Sequence, residues 1–424
     1  MTPSPVPVPP SAIVVHVPGS KSIANRALVC AALADGPSTL TNVPDGDDTT
    51  AMVECLSTLG IPTTGQVPTI TIGGAGRLLP EPGAVAFAGL AGTTSRFVTA
   101  LAALAPTPVV VDGHAPLRAR PFGPLFGALE QLGVSVTPGD RAGGLPVTIA
   151  GPPRGGRVAL PGDVSSQFVS ALMMIGPYVP GGLQIELTTG LVSRPYVELT
   201  AAVMGWFGIT AITVTEATIG VPPGVYRPAD VAVEPDASSA SYPLALAALT
   251  GEPVTVAGLG TASLQGDARF ADLLARMGCR VVRTADSVTV WREAGTELTG
   301  IDVDMADVSD LVPTVAVVAA CASTPSRLRG VGFIRAKESD RLGDLAAELA
   351  AAGVQVTELP DGLAIEPSRA TLRPAQLGTH HDHRLAMAFG VLSSMVPGGL
   401  DVDDPGVVAK SWPGYWDAIA RLAE

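Results

Sequence analysis

The stretch SKSIANRALVCAALADGPSTLTNVPDGDDTTAMVECLSTLGIPTT, residues 20–64, decides the fold, because its plan recurs along the chain. Its apolar run contains Ala27, whose counterparts sit inside five later apolar runs at Ala100, Ala171, Ala245, Ala316 and Ala388. The steps between them are 73, 71, 74, 71 and 72 residues. A second marker runs in phase with the first. It is a glycine that ends a helical run and leads into a short strand: Gly60, Gly133, Gly208, Gly278 and Gly353. These follow the first five alanines by 33, 33, 37, 33 and 37 residues. Two unlike markers held in phase over 424 residues define a six-fold internal repeat.

Solenoid and propeller units run roughly 20 to 50 residues, so a period near 72 is too long for either. It suits an α/β unit with two helices and several strands. In the first unit the pattern predicts a helix near 20–34, a strand at 38–43 and a helix from about Asp48 to Leu59. Three units apiece give two domains, in line with the length. VPPGVYRPADVAVEP at 221–235 is rich in Pro and Gly and falls between the third and fourth units, which marks a hinge. VHVPGSK at 15–21 is a second crossing point.

Each unit opens its first helix with small polar or charged residues: SKS at 20–22, TTSR at 93–96, SSQ at 165–167, ASS at 237–239, SD at 309–310 and DHR at 382–384. Such residues cap the unpaired N–H groups of a first helical turn. Six such helices pointing one way would gather six positive dipole ends, a natural anion site. The charged residues are where the repeats differ. Lys21 and Arg26 flank the first cap, and Arg118 and Arg120 lie in RARPFGP. LVSRPYVEL holds Ser193, Arg194 and Tyr196, while RAKESDRL packs Lys337, Glu338, Asp340 and Arg341 together. Arg384 and Lys410 follow in DHRLAMAF and VVAKSWP. A helix dipole disfavours cations at its start, so this placement calls for an anionic ligand.

Composition narrows the class. The chain is 47% apolar and 15% charged, enough to bury large cores. Mean hydropathy is +0.38, yet its apolar runs fall short of the roughly 20 residues a spanning helix needs. Formal charge is 26 − 39 = −13, which argues against a nucleic-acid surface and makes any basic site local. Cys30, Cys55, Cys279 and Cys321 form no Cys-x-x-Cys pair, and a reducing cytoplasm is expected. PGSKS has Ser20 where a P-loop needs Gly, and HHDH at 380–383 has no partner set for a metal. The N-terminus, MTPSPVPVPP, reads as an extended tail without the basic region of a signal peptide.

PGSKSIANRAL, LAGTTSRF, ARPFGPL, DVSSQF, LVSRPY, DASSASYPLALAA, AKESDRL, DHRLAMAF and AKSWP occur in the order that characterises 5-enolpyruvylshikimate-3-phosphate (EPSP) synthases, and residues 12–424 resemble that family throughout. The resemblance implies two similar domains, each of three βαβαββ units with helices inside and sheets outside. One would hold residues 1–18 and 231–424 and the other 19–230, with the active site in the cleft between them. The implied reaction moves the enolpyruvyl group of phosphoenolpyruvate to the 5-hydroxyl of shikimate 3-phosphate and releases phosphate. It needs no metal or redox cofactor, and a cytoplasmic monomer is expected that engages neither membrane nor nucleic acid.

Carried over residue by residue, Lys21, Ser22, Arg26, Ser165, Ser166, Gln167, Ser193, Tyr196, Asp310 and Lys337 are similar to shikimate 3-phosphate contacts. Lys21, Gly92, Arg120, Gln167, Arg341, Arg384 and Lys410 are similar to phosphoenolpyruvate contacts. Asp310 matches the base that takes the 5-hydroxyl proton. Glu338 matches the group that exchanges a proton on the methylene carbon, with Lys21 assisting. The herbicide glyphosate occupies the phosphoenolpyruvate site in this family, and Gly92 followed by Thr93-Thr94-Ser95-Arg96 resembles the sensitive arrangement. Two positions depart: Leu90 stands where many members have Asn, and Phe333 where a polar substrate contact is common. UDP-N-acetylglucosamine enolpyruvyl transferase, which uses a loop cysteine, and a non-catalytic paralogue are the alternatives. DGHAPLRARPFG has no cysteine at that place, and the set of charged residues is complete.

Overall fold

The computed structural model describes residue 9 and residues 11–423, apart from 75, 77, 79, 80 and 82. The tail expected over residues 1–10 therefore lies outside the described residues, Pro9 excepted. The chain divides into two compact units, one made of the residues up to Pro18 and from Glu234 on, the other of Gly19–Val233.

The repeat is visible in the sheets. The second repeat pairs Val85–Phe87 in parallel with Val109–Asp112, which pairs antiparallel with Val147–Ala150, and that strand with Ser135–Pro138. The third and fifth repeats keep this order. The first and fourth keep it by exchanging one strand. Ile13–Val15, which precedes the first helix in sequence, pairs in parallel with Val254–Ala257 of the fourth repeat. Val231–Ala232, which precedes the fourth-repeat helix, pairs with Pro37–Thr41 of the first. Pairing along Val231–Ala232 holds that strand to the first repeat, so the second crossing comes after Val233, slightly later than residue 230. Among the described residues the sixth repeat forms a two-stranded parallel pair, Gln376–Leu377 with Asp401–Val402.

Helices occupy the interior of each unit. Lys21–Leu33 is buried at every residue from Ile23 onward, and Ala237–Thr250 at every residue through Leu249. A helix apolar all round can only sit in a core. The sheets cover them, as the in–out alternation of Leu183–Leu187 shows. The five marker glycines adopt left-handed conformations, with φ of 81°, 79°, 92°, 104° and 91°. That conformation closes a helix C-terminus and suits glycine, which has no Cβ to clash. The motif readings thus correspond to a real backbone constraint.

Caps follow the sequence expectation in part. Ser20, Ser165 and Asp382 accept hydrogen bonds from the first turns of Lys21–Leu33, Ser166–Ile175 and His383–Ser393. In the fourth repeat the cap is Asp236 and not the ASS that follows it. The second-repeat helix Gly92–Ala102 starts after Ala91 with no side-chain cap, and Val312–Ala320 is entered directly from the 3-10 turn Ala306–Leu311.

Candidate active site

In the unit Gly19–Val233, the candidate residues gather at helix starts. Lys21 opens its helix, and its Nζ lies 2.8 Å from Asp48 Oδ2. Asp48 sits in the first turn of Asp47–Thr58, a favourable place for a carboxylate. Its carbonyl accepts a hydrogen bond from Thr94 Oγ1 at 3.0 Å, which ties this turn to Gly92–Ala102. Gln167 Nε2 donates to Thr93 Oγ1 at 3.1 Å, so Gln167 stands next to Gly92.

Gly92 is placed where its lack of a side chain matters. A Cβ there would lie 2.5 Å from Arg120 Nη1 and 2.7 Å from Arg96 Nη1. Arg96 donates to the Gly92 carbonyl at 2.9 Å and lies over the rings of Phe122 and Phe168. Arg96 and Asp48 belong to this cluster, although neither is among the residues matched to substrate contacts.

Arg26 is 2% exposed. It donates to Thr200 Oγ1, the Ser22 carbonyl, Ser170 Oγ and the Tyr196 carbonyl at 2.7–3.3 Å, and lies over the rings of Phe97 and Tyr196. Burial lowers its pKa to about 10, against small raising effects of Tyr196 and Cys30. No carboxylate pairs with it among the described residues, so it leaves a net positive charge within this group. Its contacts also hold the entry to Arg194–Trp206. That helix starts after Ser193, which is buried and adopts a left-handed φ of 53°.

Not every cation stands at a helix start. Arg118 ends the short helix Ala115–Arg118 and pairs with Asp112 at 2.6 Å in an exposed position. Lys410 ends the 3-10 turn Pro405–Lys410.

In the other unit one buried ionic network joins the candidates. Arg341, the first residue of Arg341–Ala351, is fully buried and contacts three carboxylates. Its Nε donates to Asp382 Oδ2 at 2.8 Å, Nη1 to Asp310 Oδ1 at 3.1 Å and Nη2 to Glu338 Oε2 at 2.6 Å. Three of its five N–H groups are thereby engaged, which leaves two. Asp310 Oδ2 accepts from Arg384 Nη2 at 2.8 Å, and Lys410 Nζ lies 3.3 Å from Glu338 Oε1. Asp382 performs two tasks: it caps His383–Ser393 through the Arg384 amide and anchors Arg341. Burial alone would raise the Asp310 carboxyl, but Arg384, Lys337 and Arg341 together hold it well below the usual carboxylate range, Glu338 opposing them. Arg341 is held even more firmly charged, since Asp382, Glu338 and Asp310 outweigh the cost of its burial. Lys337 Nζ lies 5.8 Å from the centre of the Phe333 ring.

Beside the HHDH segment, His380 lies 2.8 Å from Glu348 and 3.6 Å from Asp344. No group of three metal-ligating side chains forms among the described residues. All four cysteines are buried, and no described helix is long and apolar enough to cross a membrane.

A signal for the residues missed by motif reading was present. Counting back 11 to 13 residues from the marker glycines reaches Asp48, Arg120, Tyr196, Asp267 and Arg341, each at the entry to a second helix. That entry is a repeated position in the fold, and Asp48 and Asp267 occupy it in the first and fourth repeats.

Solved structures with this architecture include EPSP synthase from Acinetobacter baumannii, with a TM-score of 0.80, 24% identity and coverage of 98% of this chain and 97% of that one. The enolpyruvyl transferase NikO from Streptomyces tendae shares it with a TM-score of 0.75, 20% identity and coverage of 97% and 94%. At such identities the likeness establishes the fold: two units of inside-out α/β repeats. The sequence comparison is more specific. Residues 9–419 match the family model described as EPSP synthase (3-phosphoshikimate 1-carboxyvinyltransferase). A 3-phosphoshikimate 1-carboxyvinyltransferase from Nostoc sp. is 41% identical over 414 residues, 97% of this chain and 96% of that protein. One from Methanoculleus marisnigri is 41% identical over 406 residues, covering 95% and 94%. The chain belongs to the EPSP synthase family.

Proposed function

We infer that this chain transfers the enolpyruvyl group of phosphoenolpyruvate to the 5-hydroxyl of shikimate 3-phosphate, with release of phosphate. The observation that carries the reading is the setting of Asp310, an ionised carboxylate that is still 17% exposed and held by Arg341 and Arg384. A base with anion-binding arginines beside it suits an alcohol that must attack a phosphorylated enol acid. Asp310 takes the 5-hydroxyl proton as the oxygen bonds to the central carbon of phosphoenolpyruvate. The methylene carbon gains a proton, giving a tetrahedral ketal. Loss of a proton from the resulting methyl group then expels phosphate and restores the double bond. Glu338 serves the carbon proton, with Lys21 assisting. Lys410, 3.3 Å from Glu338, sets a cation beside that carboxyl.

The same reading assigns the remaining candidates. Arg120, Arg341, Arg384 and Lys410, with Lys21, Gln167 and the backbone at Gly92, serve phosphoenolpyruvate, because a guanidinium matches carboxylate and phosphate with parallel N–H groups. Ser22, Arg26, Ser165, Ser166, Ser193, Tyr196 and Lys337 serve shikimate 3-phosphate.

Phosphate release with both substrates present tests the reaction, and Asp310→Asn tests the role of the base. The amide keeps the shape but cannot accept the proton, so turnover should fall by about 100-fold or more while shikimate 3-phosphate still binds. No phosphate release by the parent protein would overturn the function. A loss below tenfold in the variant would overturn only the assignment of Asp310.

A further inference from the structure

Asp267 lies in the 3-10 turn Gly266–Arg269 and is 3% exposed. That turn packs on Ala306–Leu311, which carries Asp310, and on the start of Ala237–Thr250. Asp267 Oδ2 accepts a hydrogen bond from Ser238 Oγ in that start. Gln265 fixes the turn further: its Oε1 accepts from the Ala237 amide at 3.0 Å and its Nε2 donates to the Pro235 carbonyl at 2.7 Å. A rigidly held second carboxylate thus shares the electrostatic surroundings of Asp310 and Arg384.

We propose that Asp267 is a positioning residue for the reaction: its negative charge keeps Asp310 a competent base, and Ser238 keeps Asp267 ionised. The proposal rests on the enolpyruvyl-transfer reading above. Its physical basis is that a base too strongly stabilised by cations takes up a proton poorly. Arg384, Lys337 and Arg341 press Asp310 in that direction. A like charge nearby opposes them, and the interaction is mutual, so ionised Asp267 raises the proton affinity of Asp310. Burial and the Asp310 charge raise the Asp267 carboxyl to about 6, with Arg384 and the Ser238 hydroxyl lowering it and Asp236 raising it. Arg269 lies 3.7 Å from Asp307, and Arg283 contacts the Ala268 carbonyl and Asp272.

The pH dependence of kcat in the parent, Asp267→Asn and Ser238→Ala tests the idea, since a purely structural role would move no acid limb. The parent rate should fall as pH drops through about 6, where Asp267 takes up its proton. Asp267→Asn should be slower by about three- to tenfold near neutral pH and should lose that fall, because base catalysis follows base strength. Ser238→Ala should shift the fall to higher pH, since it removes a hydrogen bond to the charged form. An unchanged acid limb in Asp267→Asn, or no upward shift in Ser238→Ala, overturns the proposal alone. An inactive parent overturns the reaction reading and this proposal with it. Thermal unfolding monitors folding of each variant, and should Asp267→Asn fail to fold, the direction of the Ser238→Ala shift decides.

Discussion

Gly92→Ala adds one methyl group between two guanidinium groups. Its Cβ would stand 2.5 Å from Arg120 Nη1 and 2.7 Å from Arg96 Nη1, where ordinary contact starts at 3.4 Å. Relief requires shifts of 3.4 − 2.5 = 0.9 Å and 3.4 − 2.7 = 0.7 Å. Arg96 resists, being clamped by the Gly92 carbonyl and two aromatic rings. Arg120 therefore takes most of the displacement. Losing one charge-assisted hydrogen bond costs about 1.5–3 kcal/mol, on the order of 10- to 150-fold. A 1 Å misplacement of a positioning group has a similar cost, about 100-fold. We expect kcat/KM for phosphoenolpyruvate to fall within that range while the KM for shikimate 3-phosphate stays within about twofold. Steady-state phosphate release, varying each substrate in turn, reads both. Glyphosate, which the family resemblance implies for the phosphoenolpyruvate site, has a longer chain than the substrate, so the added methyl should weaken its inhibition by about tenfold. Equal rises in both KM values, or a kcat/KM for phosphoenolpyruvate within threefold of the parent, would refute the placement of Arg120.

Three further outcomes are expected. Asp382→Ala strips fully buried Arg341 of one anion and His383–Ser393 of its cap, so urea unfolding should show a loss of about 3–5 kcal/mol; a loss below 1 kcal/mol would contradict the network. Asp267 has a folded pKa of about 6 against about 3.9 unfolded, so its charge destabilises the fold above pH 6, and that cost disappears as pH falls towards 4. Asp267→Asn should accordingly gain about 1–3 kcal/mol at neutral pH and little near pH 4, and equal effects at both would argue against a buried charge. Phe333→Ala removes the ring beside Lys337, worth about 0.5–1 kcal/mol, and should raise the KM for shikimate 3-phosphate about two- to fivefold. An unchanged KM would place Lys337 outside that contact.

The repeat and the α/β character were legible in the chain itself, because helix periodicity, capping residues and left-handed glycines are local properties that each stretch expresses alone. Ser20, Asp382 and the five marker glycines act as their sequence context requires. Pairing across the chain was not legible. Ile13–Val15 could have joined any sheet with an open parallel edge, and only the tertiary structure gave it to Val254–Ala257. The same limit applies to charge. The chain has 39 carboxylates, and nothing local marks Asp48 as the partner of Lys21, 27 residues away, or Asp382 as the anchor of Arg341, 41 residues away. Motifs exposed the cations because cations at helix starts break a local electrostatic rule. The carboxylates that balance them obey that rule and look like ordinary caps; the repeat spacing singles out the positions of Asp48 and Asp267, but only folding, which sets distance and dielectric, gives Asp48, Asp267 and Asp382 their partners.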